Sequence, residues 1–125
     1  MILPDTSVWV DWLRGAGGDL EGRLRSGQVV TCGPVVAELL AGTAVDAQDA
    51  LWGSMLGLPW SDLTALAWRD VGALASTLTR SGRHVPLTDV AIAVCAIRAD
   101  AELITRDDDF TRIAEVEPRL RLARA

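Results

Sequence analysis

Glu38 is a carboxylate in an apolar setting, within the segment VVAELLAG at residues 35–42. If this segment is helical, none of its neighbours three and four positions away is polar; they are Pro34, Val35, Ala41 and Gly42. An isolated exposed glutamate is one explanation, because surface helices tolerate such a residue. The alternative is a carboxylate that projects from an apolar helix into a polar site, and the cost of burying an unpaired charge favours this second interpretation.

Asp89 repeats this pattern at the start of the most apolar helical segment of the chain, and its near neighbours are Val85, Pro86, Ile92 and Ala93. An acid in the first turn of a helix can simply interact with the helix dipole. That explanation would suffice for Asp89 alone. It is weakened by other acids that the predicted fold would bring to the same place.

Asp5 and Asp107 each follow a short strand-like run, Met1–Leu3 with Pro4 in the first case and ELIT at residues 102–105 in the second. Open α/β sheets bind ligands at the carboxyl ends of parallel strands. Several carboxylates in one crevice repel each other unless a cation lies among them, and oxygen ligands select Mg²⁺ or Mn²⁺. The pattern therefore predicts one metal site built from Asp5, Glu38, Asp89 and Asp107.

Zinc does not fit this sequence, because one histidine and two dispersed cysteines cannot supply a nitrogen or sulfur ligand set. We expect His84, in the segment SGRHV, to be an exposed loop residue and not a catalytic base. Cys32 and Cys95 lie in apolar surroundings, which is typical of buried free thiols in a reducing cytosol.

Strand-like runs alternate with helix-length segments, which indicates an α/β domain with a mainly parallel sheet. The predicted strands are residues 1–3, 28–32 and 102–105, with a possible edge strand in LRLA near the end. The predicted helices are residues 8–13 capped by Ser7, 18–26, 33–42, 45–56, 62–81, 89–99 capped by Thr88, and a short one near Phe110.

Size and composition predict one domain over residues 1–125, because 125 residues with 50% apolar content can build a core. The longest apolar run, residues 90–97, is far shorter than the roughly 20 residues that span a bilayer. With no basic, apolar leader at its start, the chain is expected to be cytoplasmic and free of the membrane.

The net charge of −5, from 17 acids and 12 arginines with no lysine, argues against a nucleic-acid partner, since such proteins usually carry a basic face. The objection weakens if divalent ions neutralise four of the acids. The arginines would then be available to contact phosphates.

Four motifs in a fixed order carry a family resemblance. The segments DTS (5–7), VVAELLAG (35–42), TDVAIA (88–93) and ITRDDDF (104–110) resemble the PIN-domain ribonucleases, and most closely the VapC toxins of toxin–antitoxin pairs. The resemblance spans almost the whole chain. It implies a three-layer PIN-like α/β fold, in which helices flank a mainly parallel central sheet.

The resemblance also implies a Mg²⁺- or Mn²⁺-dependent endoribonuclease whose acidic quartet is Asp5, Glu38, Asp89 and Asp107. Thr6 or Ser7 would be a supporting hydroxyl, and Asp109 an auxiliary metal ligand. The run DDD offers three candidates for the last acid; we expect Asp107 to be the principal one and Asp108 to be solvated.

The implied reaction is hydrolysis of an RNA phosphodiester by water that a metal activates. The arginines nearest the acidic motifs are candidate RNA contacts: Arg14, Arg106 and Arg112. Trp9, Trp12 and Trp52 lie among many aliphatic residues and are expected to form an exposed surface that binds a partner, with packing in the core as the alternative for each. The resemblance implies that this partner is a VapB-like antitoxin, and a homodimer is also expected.

Three other interpretations remain open at this point. A response-regulator receiver has this length and an acidic Mg²⁺ pocket, but it needs a lysine that this chain lacks. A haloacid-dehalogenase-type phosphatase needs Asp-x-Asp, and Ser7 stands at the second position. A PIN-like scaffold without catalytic activity can be distinguished only by an activity assay.

Overall fold

Three short parallel strands form the sheet in a computed structural model that describes residues 1–16 and 18–125. The strands are β1 (Ile2–Pro4), β2 (Glu102–Thr105) and β3 (Leu122–Arg124), and β2 lies between the other two. Leu103 of β2 pairs with Leu3 on one side and with Leu122 on the other. Both predicted terminal strands and the predicted strand ELIT are therefore confirmed.

Helices surround this sheet because parallel strands need crossover connections. They are α1 (Thr6–Leu13), α2 (Leu20–Arg25), α3 (Gly33–Ala41), α4 (Gln48–Leu56), α5 (Ala65–Arg80), α6 (Leu87–Arg98) and α7 (Asp109–Val116), with a 3₁₀ turn at Val45–Ala47. The predicted α/β class, a parallel sheet flanked by helices, is confirmed.

Helix α6 lies at the centre of the structure, as its apolar sequence predicted. Its residues from Asp89 to Ala96 are all buried, and the helix packs against α3, α5, α7 and β2. A helix that is apolar on every side needs neighbours on every side. This position carries Asp89 into the interior at the first turn of the helix.

The predicted strand at residues 28–32 was wrong. Val29 forms a single parallel bridge with Ile2, and Thr31 forms one with Trp60. The run changes its pairing partner after two residues, so no continuous ladder can form. Cys32 then serves as the N-cap of α3.

Several helix starts also differ from the prediction, among them those of α1, α6 and α5. Asp5, and not Ser7, caps α1, because the Ser7 hydroxyl is engaged by the Asp5 carboxylate. Helix α6 begins at Leu87, before Thr88, because the amide of Asp89 already donates to the carbonyl of Pro86 (3.0 Å). Helix α5 begins at Ala65, three residues after the predicted start, behind a Thr64 cap.

None of the helices within the described residues is both long and apolar enough to traverse a bilayer. Cys32 and Cys95 are buried free thiols, and His84 is exposed, as predicted.

Candidate metal centre

Asp5 is fixed in place where β1 ends. Its amide donates to the carbonyl of Ile104 (2.9 Å), which ties it to the neighbouring strand β2. Its carboxylate accepts three hydrogen bonds, from Ser7 Oγ (2.6 Å), the Val8 amide (3.2 Å) and Thr105 Oγ1 (2.6 Å). Asp5 is 4% exposed. Its carboxylate is thus buried, with its orientation set by three donors.

Thr105 belongs to this site, although the sequence did not predict it. It is the last residue of β2 and is buried. Its hydroxyl donates to Asp5 Oδ2 and accepts from the amide of Asp107 (2.9 Å), so one side chain joins two predicted site residues. A hydroxyl residue that ends a strand immediately before an acidic loop was the signal that could have identified it.

Within the described residues, Asp89, Asp107 and Asp109 form a tight cluster of carboxylates, with one oxygen from each within 4.8 Å of the others. Asp107 follows β2, and Asp109 is the first residue of α7. The amide of Asp109 donates to Asp107 Oδ1 (2.9 Å). Asp108 faces solvent and pairs with Arg124 (2.6 Å), as expected for the solvated member of the DDD run. Two of those three acids therefore point toward Asp89.

The pKa of Asp89 is raised from 3.8 to about 7. Burial is the largest cause, followed by the negative charges of Asp107, Asp109, Glu38 and Asp5. Asp89 is 9% exposed, so water screens this repulsion poorly. Near neutral pH, Asp89 in the metal-free site is therefore partly protonated, and a bound cation would displace that proton.

Glu38 lies on an exposed part of α3 at the edge of the cluster. The Thr6 hydroxyl donates to Glu38 Oε1 (2.7 Å) and so orients the carboxylate. The structure therefore brings all five predicted carboxylates into one region. Asp89, Asp107 and Asp109 form its centre, while Asp5 and Glu38 flank it and still raise the pKa of Asp89.

The chemistry of these ligand atoms suits a divalent cation of the hard class, because every candidate donor is a carboxylate or hydroxyl oxygen. The arrangement combines a preformed carboxylate, held by hydrogen bonds, with a mutually repelling trio that a cation would neutralise. Such a site can bind a divalent ion in contact with an anionic substrate.

The three arginines predicted to contact RNA have different surroundings. Arg112 pairs with Asp109 of the acidic cluster. Arg106 pairs with Asp11 on α1 (2.9 Å) and lines a different cavity from the one that contains Asp109. Arg14 is exposed just beyond the end of α1. Only Arg112 touches a residue of the cluster, and RNA contact by any of the three stays a prediction.

The tryptophans of the N-terminal half are not all surface residues. Trp9 is 1% exposed and belongs to the core, so its predicted place on a binding surface was wrong. Trp12 is half-buried and donates from its indole to Glu21 (3.0 Å). Trp52 is 42% exposed and packs edge to face against Trp60.

The PIN domain family model matches residues 2–116. Ribonuclease VapC11 of Mycobacterium tuberculosis is 31% identical to this chain over 125 residues, which cover 93% of each protein. Among solved structures, VapBC2 from Rickettsia felis, bound to a fragment of its promoter DNA, is similar with a TM-score of 0.80 and 24% identity, over 100% of this chain and 99% of the other. VapBC-5 from M. tuberculosis, a member of the VapBC family of toxin-antitoxin systems, has a TM-score of 0.60 and 25% identity, with coverage of 78% and 82%. The chain therefore belongs to the PIN-domain family, in the VapC group.

Proposed function

We propose that this protein is a metal-dependent endoribonuclease and the toxin component of a toxin–antitoxin system. The observation that carries the proposal is the convergence of Asp89, Asp107 and Asp109, flanked by Asp5 and Glu38, in a chain of the VapC group. The relative that is 31% identical is itself named a ribonuclease. The proposed substrate is RNA in the cytoplasm.

Mg²⁺ or Mn²⁺ is the proposed cofactor, and when bound it would lower the pKa of the attacking water and neutralise charge on the phosphate. Asp89, Asp107 and Asp109 would hold it, together with Asp5 and Glu38. Thr105 and Ser7 hold the Asp5 carboxylate before any ligand arrives, so less reorganisation is needed there. Thr6 has the same positioning role toward Glu38.

The direct test is cleavage of total RNA by the purified chain with Mg²⁺, with Mn²⁺ and with a chelator. We expect cleavage with either ion and none with the chelator. Products should carry a 5′-phosphate and a 3′-hydroxyl, which end-labelling distinguishes. Intact RNA under all three conditions, from a protein that is folded by circular dichroism, would instead identify a PIN-like scaffold without activity.

The proposed protein partner is a VapB-like antitoxin. Its docking surface would include the exposed apolar side chains on α1, on the 3₁₀ turn and on α4, namely Leu13, Val45, Trp52 and Leu56. Helix α3 packs against both α1 and α4 and so connects these elements. Apolar patches of this kind commonly mark protein interfaces.

We also propose a homodimer formed through α5, which exposes Leu66 and Trp68 to 64% and 50%. Large exposed apolar side chains on the outer surface of a long helix favour association with a second copy. Light scattering that gives a monomer mass at micromolar concentration would contradict this.

A further inference from the structure

We propose that Arg83, His84 and Arg112 form a phosphate-binding shelf that holds an RNA backbone phosphate next to the one being cleaved. This inference rests on the proposed function and specifies where the substrate strand leaves the metal centre. None of the four sequence motifs includes Arg83 or His84.

The shelf is the wall of an open cavity of about 540 Å³, lined by Gly82, Arg83, His84, Asp109, Arg112 and Glu115. Asp109 belongs both to this cavity and to the carboxylate cluster with Asp89 and Asp107. The cavity therefore adjoins the candidate metal centre at Asp109. A strand whose scissile phosphate lies at the cluster would pass over these basic side chains.

The backbone fixes the position of Arg83. Helix α5 ends at Arg80, and Gly82 follows in the left-handed conformation with φ of +78°. The amide of Gly82 donates to the carbonyl of Thr79 (3.1 Å), and the amide of Arg83 donates to that of Leu78 (2.8 Å). This pair of bonds is a Schellman motif, which holds the residue after the glycine in place. The helix cap therefore fixes the backbone of Arg83.

The guanidinium of Arg83 is also oriented. Its Nε and Nη2 atoms both donate to Glu115 Oε2, at 3.1 and 3.0 Å, and its side chain is only 30% exposed. The planar fork of arginine has five N–H donors, so donors remain for a phosphate after this pairing. Glu115 therefore positions Arg83 without using all its donors.

Arg112 provides the link between the shelf and the metal centre. Its guanidinium pairs with Asp109, three residues earlier on α7. In this state the two arginines of the shelf are balanced by Asp109 and Glu115. If Asp109 instead neutralises a divalent cation, the charge of Arg112 is no longer compensated and the shelf becomes net positive. A local basic site of this kind explains how a chain of net charge −5 can bind RNA.

The test is the binding of a fluorescein-labelled single-stranded RNA, followed by anisotropy over a series of salt concentrations. The measurement is made in a chelator and again in Ca²⁺, so that it does not depend on cleavage. Arg83→Gln should weaken binding roughly tenfold, as expected for loss of a charged hydrogen bond. It should also reduce the slope of log K against log salt by about 0.7, the contribution of one phosphate contact to a single strand.

Arg121→Gln is the matched control, because Arg121 is an exposed arginine that pairs with Asp100 before β2, at the opposite end of the sheet. Its affinity and salt slope should equal those of the parent. Arg83→Lys should restore the slope and part of the affinity, since it keeps the charge but loses the fork. Melting curves of all variants test whether the fold is intact.

Two results would overturn the shelf: a salt slope and affinity for Arg83→Gln equal to those of Arg121→Gln, or no RNA binding by the parent in either condition. The proposed function fails separately. Binding through Arg83 without any cleavage in Mn²⁺ would overturn the ribonuclease activity and retain the shelf. If Arg83→Gln instead cleaves RNA with an unchanged KM, the shelf is overturned and the ribonuclease activity is retained.

Discussion

The two buried carboxylates of the site have opposite surroundings. Asp5 lies with its hydrogen-bond donors Ser7 and Thr105, here called the Asp5 corner, and Asp89 lies with the acids Asp107 and Asp109, the Asp89 corner. Asp5 accepts hydrogen bonds from Ser7, Val8 and Thr105, and its exposed fraction is 4%. Asp89 is nearly as buried, at 9%, yet burial and the charges of four neighbouring acids raise its pKa to about 7. The fold thus orients the Asp5 carboxylate through hydrogen bonds, whereas it places the Asp89 carboxylate where its charged form is disfavoured.

This difference suggests two roles within one site: the surroundings of Asp5 position a carboxylate, and the acids around Asp89 attract a cation. Protein donors fix the geometry around Asp5 and reduce the reorganisation that a ligand would require. The unfavourable charge at Asp89, Asp107 and Asp109 is relieved only by a proton or a cation. We therefore expect changes at the Asp5 corner to disturb geometry and stability together, and changes at Asp89 to separate activity from stability.

The largest effect is expected for Asp89→Asn. Cleavage should fall by more than about 100-fold, which exceeds the loss typical of residues that only support a metal ligand. The metal-free variant should be as stable as the parent or more so, because one negative charge is removed from a repelling cluster. Initial cleavage rates in Mn²⁺ and thermal melts in a chelator measure the two effects.

Asp49→Asn is the matched control, because Asp49 is also an acid in the first turn of a helix, but an exposed one. It should cost about 0.5 kcal/mol through the helix dipole and leave cleavage intact. Mn²⁺ should raise the midpoint of the parent and of Asp49→Asn more than that of Asp89→Asn. A destabilised but active Asp89→Asn would remove Asp89 from the site.

A smaller effect is expected at the Asp5 corner, from Thr105→Val. This change removes a donor to Asp5 and the acceptor of the Asp107 amide. Metal affinity or activity should fall about 10- to 100-fold, and the free energy of unfolding by about 1–3 kcal/mol. Titration calorimetry with Mn²⁺ and denaturant melts measure them.

Thr105→Ser restores the hydroxyl and should recover most of both losses. Thr6→Val, which deprives the exposed Glu38 of its donor, should have a smaller effect on activity and almost none on stability. If Thr105→Val and Thr6→Val are equally mild, the Asp5 corner does not position the site, and the contrast between the two corners fails.

The smallest effect is the pH dependence of stability without metal. Because the folded-state pKa of Asp89 is raised from 3.8 to about 7, the folded state binds more protons than the unfolded state between these values. The stabilisation that this gives is complete below pH 3.8 and is lost as pH rises through about 7. Over this pH range, the free energy of unfolding of the parent should therefore fall by at least about 1.4 kcal/mol relative to that of Asp89→Asn. This figure is the equivalent of a tenfold change in proton affinity.

Denaturant midpoints of the parent and of Asp89→Asn, measured in a chelator at both ends of this range, test that expectation. The comparison cancels the titration of groups that both proteins share. Saturating Mn²⁺ should reverse the trend for the parent, because a metal competes with the proton for Asp89. Parallel pH profiles in the chelator would show that Asp89 is not the titrating group.

Much of the fold could be predicted because its elements carry strong local signals. Strand β2 and helix α6 are recognisable from apolar runs of different length, and Gly42 ends α3 as a helix-terminating glycine should. The strand predicted at residues 28–32 was wrong because apolar content alone does not decide pairing. This run has the apolar content of a strand, but its pairing depends on partners distant in sequence. The single-domain organisation stays a prediction.

The candidate acids could be named from sequence because a carboxylate at a strand end or in an apolar helix is costly unless it serves a site. Their catalytic roles stay predictions. What only the tertiary structure decided was how they are held. Thr105 lies 100 residues from Asp5, and the separation between Asp89 and Asp107 depends on how α6 packs against β2. Hydrogen bonds and repulsion act over a few ångströms in space, and residue spacing along the chain does not contain those distances.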